Sequence, residues 1–262
     1  MSETHFQKLV EIMELLRSDK GCPWDREQTS SSIKPYLIEE TYEVIDALDK
    51  DDPEAVKEEL GDLLLQIVFQ AQLWTEKGAF TIQDVIDQVS RKIVARHPHV
   101  FGEKVVQDSQ EVLQNWEHIK LKEKNDSSLL SGIPRNLPAL LMGQRVQEKV
   151  SRVGFDWDTW PAVWEKINEE LQELHTVILQ KNQPGIFTEF GDFIFTCVNL
   201  ARNLKIDAEE AMRAAVDKFM TRFRQMEALN QPSGQQFSNL TLAEMDMLWE
   251  TIKEQETEHH GD

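Results

Sequence analysis

The stretch EELGDLLLQIVF at residues 58–69 returns as TEFGDFIFTCVN at residues 188–199, so that Glu59 and Asp62 recur as Glu189 and Asp192 at a spacing of 130. Four further features recur in the same order. GCPWD (21–25) is matched by GFDWD (154–158) and EETYE (39–43) by EELQE (169–173), at spacings of 133 and 130. Lys92 and Arg96 are matched by Lys218 and Arg222 at 126, and WEHIK (116–120) by WETIK (249–253) at 133. Ordered recurrence at a nearly constant offset is the mark of a duplicated unit. The fold must therefore be one that a chain of 262 residues can build twice, each copy with its own core.

The periodicity selects helices. Phe6, Leu9, Val10, Met13 and Leu16 share one face at 3.6-residue spacing, and no long stretch alternates apolar and polar residues. Helix starts are marked by Asp or Thr followed three residues on by an acid, at Thr81/Asp84, Asp108/Glu111, Asp207/Glu210 and Thr241/Glu244. Pro53 after Asp52 suits a first helical turn, and Gly78 and Pro98 mark stops. The breaker-rich NDSSLLSGIPRNLP (125–138) reads as a linker and QPSGQQFSN (231–239) as a second loop. The expected architecture is all-α, a tandem repeat of two helical-bundle domains at residues 1–128 and 129–262.

Charge narrows the partners. With 28 Lys plus Arg against 47 Asp plus Glu, the chain carries a formal charge of −19, which opposes binding to nucleic acid polymers or anionic membranes. An anionic substrate then requires a bound cation or a local basic patch. Cys22 and Cys197 form no CxxC pattern, no segment is apolar enough to span a membrane, and the N-terminus does not resemble a secretory signal, so a cytoplasmic location is expected.

On a helix, residues three and four apart share a face, so Glu39, Glu40 and Glu43 present carboxylates together, and Glu59 and Asp62 do so from the next helix. The second copy offers Glu169, Glu170, Glu173, Glu189 and Asp192. Two facing helices would gather four carboxylates whose mutual repulsion calls for compensation, and a hard divalent cation, Mg2+ or Mn2+, supplies it through oxygen ligands. A single such motif in so acidic a chain is ordinarily a solvated face. Recurrence at the head of two helices that are apolar nearly all round argues for burial instead, and Gly61 and Gly191 within the motifs suggest close helix approach. No HExxH, P-loop or GxSxG motif is present. The only ExxH, Glu256 to His259, lies in the tail, and His97 and His99 beside a proline stop offer a ligand pair but fit a solvated turn or core-edge role better. Lys218 and Arg222, like Trp249 and Lys253, stand at i and i+4, suited to grip phosphate oxygens and to stack on a base.

At these residues the chain resembles the MazG family of all-α nucleoside triphosphate pyrophosphohydrolases in its two-domain form. The resemblance rests on GCPWD, the paired EExxE and ExxD motifs, RHPHVF, GFDW and KFxxRFR, and covers nearly the whole chain. It implies Mg2+-dependent hydrolysis of ribo- and deoxyribonucleoside triphosphates between the α and β phosphates, giving monophosphate and pyrophosphate, by a homodimer. Carried over by motif, Glu170, Glu173, Glu189 and Asp192 are the metal ligands of the second half with Glu169 beside them, and Lys218, Arg222, Trp249 and Lys253 are the nucleotide contacts. Glu40, Glu43, Glu59 and Asp62 are the equivalents in the first half, and the second half is the family's usual hydrolytic site. Family members commonly carry a lysine shortly before the second ExxD, where this chain reads KNQPGIFTEFGD with Gly185, leaving Lys181 to substitute if the loop folds back. The alternative is a helical module that binds nucleotide or a partner, or oligomerises, without turnover.

Overall fold

The computed structural model describes residues 5–108, 111, 112, 116, 119, 128–231 and 236–259, with side chains through residue 256. Lys120, the repeat partner of Lys253, residues 125–127 of the expected linker and residues 232–235 of the second loop lie outside the described residues. Every regular element among the described residues is helical. None of these helices is long and apolar enough to cross a membrane. The chain forms two compact units, Met1–Lys120 and Leu121–Asp262.

In the first unit, α1 (His5–Arg17) and α2 (Pro23–Glu27) precede a long antiparallel pair, α3 (Lys34–Asp49) and α4 (Pro53–Glu76), followed by α5 (Ile82–Arg96) and the single turn α6 (Pro98–Phe101). Helix α4 is the axis on which α3, α1 and α5 all pack. Val10 and Met13 of α1, Val68, Phe69, Ala71 and Leu73 of α4, and Ile33 and Ile82 at helix starts form one buried cluster. Arg17 fastens the GCPWD segment to this core. Its guanidinium pairs with Glu76 at the end of α4 (2.6 Å), donates to the carbonyl of Asp25, and lies 5.5 Å from the Phe69 ring centroid.

The second unit repeats the pair. Helix α7 (Ala139–Ser151) packs on α9 (Gln183–Asn203), and α8 (Trp160–Leu179) lies along α9. Helix α10 (Ala208–Asn230) contacts α7, α9 and the terminal α11 (Leu242–His259). Val163, Ile167, Val198, Met226 and Ile252 are buried, and Gly143 lets α7 approach the Phe195 ring of α9.

Local chemistry explains the helix ends. Asp52 accepts from the amides of Glu54 and Ala55 with Pro53 in the first turn, and at the same place in the repeat Asn182 accepts from Gly185. Thr81/Asp84 is a reciprocal capping box, and Thr241 and Glu244 exchange the same pair of bonds. Asp108 accepts from Glu111 and Asp207 from Glu210, as the sequence predicts. The two repeat glycines at the GCPWD and GFDWD motifs serve different needs. At Gly21 a Cβ would run into the carbonyl oxygens of Leu15 and Leu16, whereas Gly154 takes a left-handed φ of +84°. Pro98 differs from the reading as a stop: the break falls at His97, and Pro98 opens α6.

The helices carrying the ExxD motifs are buried on one side only. Gln66, Val68 and Phe69 face the core, while Leu60, Gly61, Leu64 and Ile67 are exposed, and α9 repeats this with Phe190, Gly191 and Phe195. Burial all round, expected from the unbroken apolar run, is therefore not supplied by the described residues of the unit. Among the described residues close helix approach at the glycines is not found either, because a Cβ at Gly61 or Gly191 would meet nothing within 4 Å.

Candidate metal centres

The antiparallel packing of α3 on α4 turns the i, i+3 spacing of Glu40 and Glu43 toward Glu59. The three present carboxylate oxygens that all lie within 4.8 Å of one another. Helices α8 and α9 gather Glu170, Glu173 and Glu189 within the same limit. Glu170 is buried, Glu189 half-buried and Glu173 exposed, so each cluster grades from the helix interface toward solvent. Asp62 and Asp192, one turn after Glu59 and Glu189, stand outside the two groups of three, yet near enough for their charge to act on them. Glu39 and Glu169 are exposed at the edges.

The clusters are electrostatically uncomfortable. Desolvation, then repulsion by Glu173, Asp192 and Glu170, holds the Glu189 carboxyl above its ordinary range. Glu59 is raised by desolvation and by Glu43, Glu58 and Asp62, and Glu40 by desolvation, Asp62 and Glu43. Ligand oxygens on a Mg2+ octahedron with bonds of about 2.1 Å stand roughly 3.0–4.2 Å apart. Three carboxylates already gathered within 4.8 Å need only close slightly to meet that spacing, and an all-oxygen donor set suits a hard cation.

The two copies compensate their acids differently. In the second, Lys166 extends its Nζ to within 2.8 Å of both Glu169 and Glu170, an arrangement that holds the lysine firmly protonated. In the first, Tyr36 stands at the corresponding position and the buried Gln66 turns its Nε2 to Glu40 at 3.4 Å. Sequence reasoning did not single out Lys166. The signal was present in KINEE, where a lysine precedes two acids at i+3 and i+4. Gly185, near which the resemblance leads to the expectation of a lysine, sits in the first turn of α9 under the Asn182 cap, and a Cβ there would press on the Asn182 side chain. Lys181 holds the left-handed turn between α8 and α9, with φ of 54°.

The basic and aromatic residues form a second constellation on α10 and α11. The Arg222 guanidinium lies 5.4 Å from the Trp249 ring centroid, and Phe219 is 5.3 Å from the same ring. Arg222 also forms a forked pair with Glu256, and Lys253 bonds Glu250 at 2.9 Å. Lys218 is exposed and makes no hydrogen bond or ion pair among the described residues. In the first unit Arg96 lies 5.7 Å from the Trp116 ring centroid, repeating the arginine–tryptophan pairing. His97 Nδ1 is 2.7 Å from the Ile93 carbonyl, and its ring is 5.6 Å from that of His99.

The model of the MazG nucleotide pyrophosphohydrolase domain matches the chain twice, at residues 28–101 and 161–226. These segments contain both acid clusters together with Lys218 and Arg222, while Trp249 and Lys253 lie beyond the second. The chain is 48% identical over 250 residues to the nucleoside triphosphate pyrophosphohydrolase/pyrophosphatase MazG of Thermotoga maritima, covering 95% of each protein. It is 43% identical over 255 residues to the nucleoside triphosphate pyrophosphohydrolase of Escherichia coli K12, covering 95% of this chain and 97% of that protein. It is also 44% identical to the uncharacterized protein YabN of Bacillus subtilis, over 96% of this chain and 52% of that longer protein. With its acid clusters inside both matched segments, the chain belongs to the MazG nucleotide pyrophosphohydrolase family.

Proposed function

We propose that this protein hydrolyses ribo- and deoxyribonucleoside triphosphates between the α and β phosphates, releasing nucleoside monophosphate and pyrophosphate, with Mg2+ and alternatively Mn2+. The observation that carries the reading is the grouping of Glu170, Glu173 and Glu189 within 4.8 Å, inside a segment that the family model matches. Glu170, Glu173, Glu189 and Asp192 hold the cation in the second half. Glu40, Glu43, Glu59 and Asp62 are the corresponding set in the first. When bound, the cation neutralises phosphate charge as it develops. The chain's own residues do the rest: a carboxylate of the cluster, or Glu169 beside it, takes the proton of the attacking water, Lys218, Arg222 and Lys253 grip phosphate oxygens, and Trp249 stacks on the base. The long-range field of a chain with charge −19 repels a triphosphate, so these few cations carry its capture.

Residues 1–128 and 129–262 act as the two domains. The exposed apolar face of α4 and α9, with Phe187 85% exposed and Phe190 and Phe195 beside the second cluster, supports a homodimer in which another copy covers what each unit leaves open. The protein acts in the cytoplasm, where Cys22 and Cys197 stay as free thiols.

The test is the identity of the phosphate released. With Mg2+ and mixed nucleoside triphosphates, pyrophosphate is expected. Glu189→Gln and Asp192→Asn abolish its release with helical content unchanged, and Glu59→Gln and Asp62→Asn report on the first half. Orthophosphate alone means cleavage at the terminal phosphate, and no release from the wild type leaves a binding module.

A further inference from the structure

We propose that Glu256 is a placeholder for the substrate: it occupies the Arg222 fork in the nucleotide-free protein and must be displaced before Arg222 can take a phosphate. The proposal rests on the reading of Arg222 as a phosphate contact. Arg222 Nε lies 3.1 and 3.0 Å from the two Glu256 oxygens, and Nη2 lies 2.6 Å from Oε2. Two parallel N–H donors engaging two oxygens of one anion is the geometry by which a guanidinium recognises a phosphate group. The pair is shielded, the Arg222 side chain being 18% and the Glu256 side chain 33% exposed. The guanidinium is further held against Trp249, the ring expected to receive the base, so the same contact withholds both a phosphate donor and a stacking surface.

Lys218, one turn earlier on α10, makes the contrast. It is exposed and without an ion pair among the described residues, so the first cation an incoming triphosphate meets is available and the second is engaged. The partners are 34 residues apart on different helices, so this is not the incidental i, i+4 pairing of a helix surface. A phosphate group near dianionic at neutral pH competes with a monoanionic carboxylate for the fork. The contact thus acts on affinity, not on the chemical step.

The experiment is a double-variant cycle read as KM and kcat for pyrophosphate release with Mg2+ and a nucleoside triphosphate. Glu256→Gln keeps the shape and removes the charge. It is expected to lower KM about two- to fivefold, the scale of a partly exposed ion pair, with kcat held. Arg222→Ala raises KM, and in that background Glu256→Gln has no further effect. An increase in KM for Glu256→Gln means that Glu256 orients Arg222 for substrate, and an unchanged KM means that it does neither; both overturn the proposal. An equal decrease with and without Arg222 reduces the effect to general charge repulsion and overturns it too. If Arg222→Ala leaves KM in place, the phosphate role of Arg222 fails first, and the placeholder with it. A merely structural role for Glu256 would lower the thermal midpoint without lowering KM.

Discussion

Lys166 Nζ stands 2.8 Å from the carboxylate of Glu170, the one buried acid of the second cluster. The same ammonium holds Glu169 at 2.8 Å, so in the absence of metal one lysine balances two carboxylates. The first cluster has Tyr36 at that position and relies on Gln66. Removing one partner of a buried, charged hydrogen bond leaves the other desolvated and unmatched. Lys166→Met is therefore expected to lower the stability of the protein in chelator by about 1–3 kcal/mol. Added Mg2+ restores more of it than the same addition gives the wild type. Thermal melts with and without Mg2+ check this, and equal Mg2+ shifts in the two proteins would show that Lys166 and the cation do not share the site.

The acids that the cation needs are a liability without it. Glu189 is held above its ordinary carboxyl range by desolvation and by Glu173, Asp192 and Glu170, so its ionised form opposes folding. A raised carboxyl contributes stability below its unfolded pKa and loses it as pH rises through the folded value. At neutral pH in chelator, Glu189→Gln is expected to melt above the wild type. In saturating Mg2+ the order reverses, because the variant gains little from the ion. Differential scanning fluorimetry reads both, and a variant that melts lower in chelator argues against mutual repulsion.

Much of this was legible in the sequence because it depends on local spacing. The caps at Asp52, Thr81, Asp207 and Thr241 and the i, i+3 acid pairs are set within one or two helical turns. Lys166 was legible in principle for the same reason. The Arg222–Glu256 fork joins residues 34 apart on two helices, and no periodicity encodes which residue of α11 faces which of α10. The apolar run of α4 misled for a different reason. Hydrophobicity says that Leu60, Leu64 and Ile67 avoid water but not whether their cover comes from their own unit.

Glu76 gives the opposite pH dependence from the cluster acids. Its hydrogen bonds from Arg17 hold the carboxyl below its usual value of 4.5, so its contribution is present above that pH and is lost as pH falls through the depressed folded pKa. Glu76→Gln is expected to flatten the fall of the urea midpoint below about pH 4.5 while lowering the midpoint at pH 7. Denaturation series from pH 3 to pH 7 test the sign. A parallel fall in both proteins would place acid sensitivity elsewhere.

Gly61 separates the two explanations for the open face of α4. Among the described residues of the unit an added Cβ meets nothing within 4 Å, and glycine inside a helix costs about 1 kcal/mol relative to alanine. If nothing else covers this face, Gly61→Ala stabilises the protein by about that amount and changes nothing more. If a second copy packs there, as the proposed homodimer requires, the methyl group intrudes where the glycine permits close approach. We expect the second outcome: Gly61→Ala raises the dimer dissociation constant even though it favours the helix, and Gly191→Ala behaves alike in the second unit. Sedimentation equilibrium over a range of protein concentrations distinguishes them. A variant that melts higher and keeps the wild-type association state removes α4 from the interface and leaves the exposed leucines without a partner of this kind.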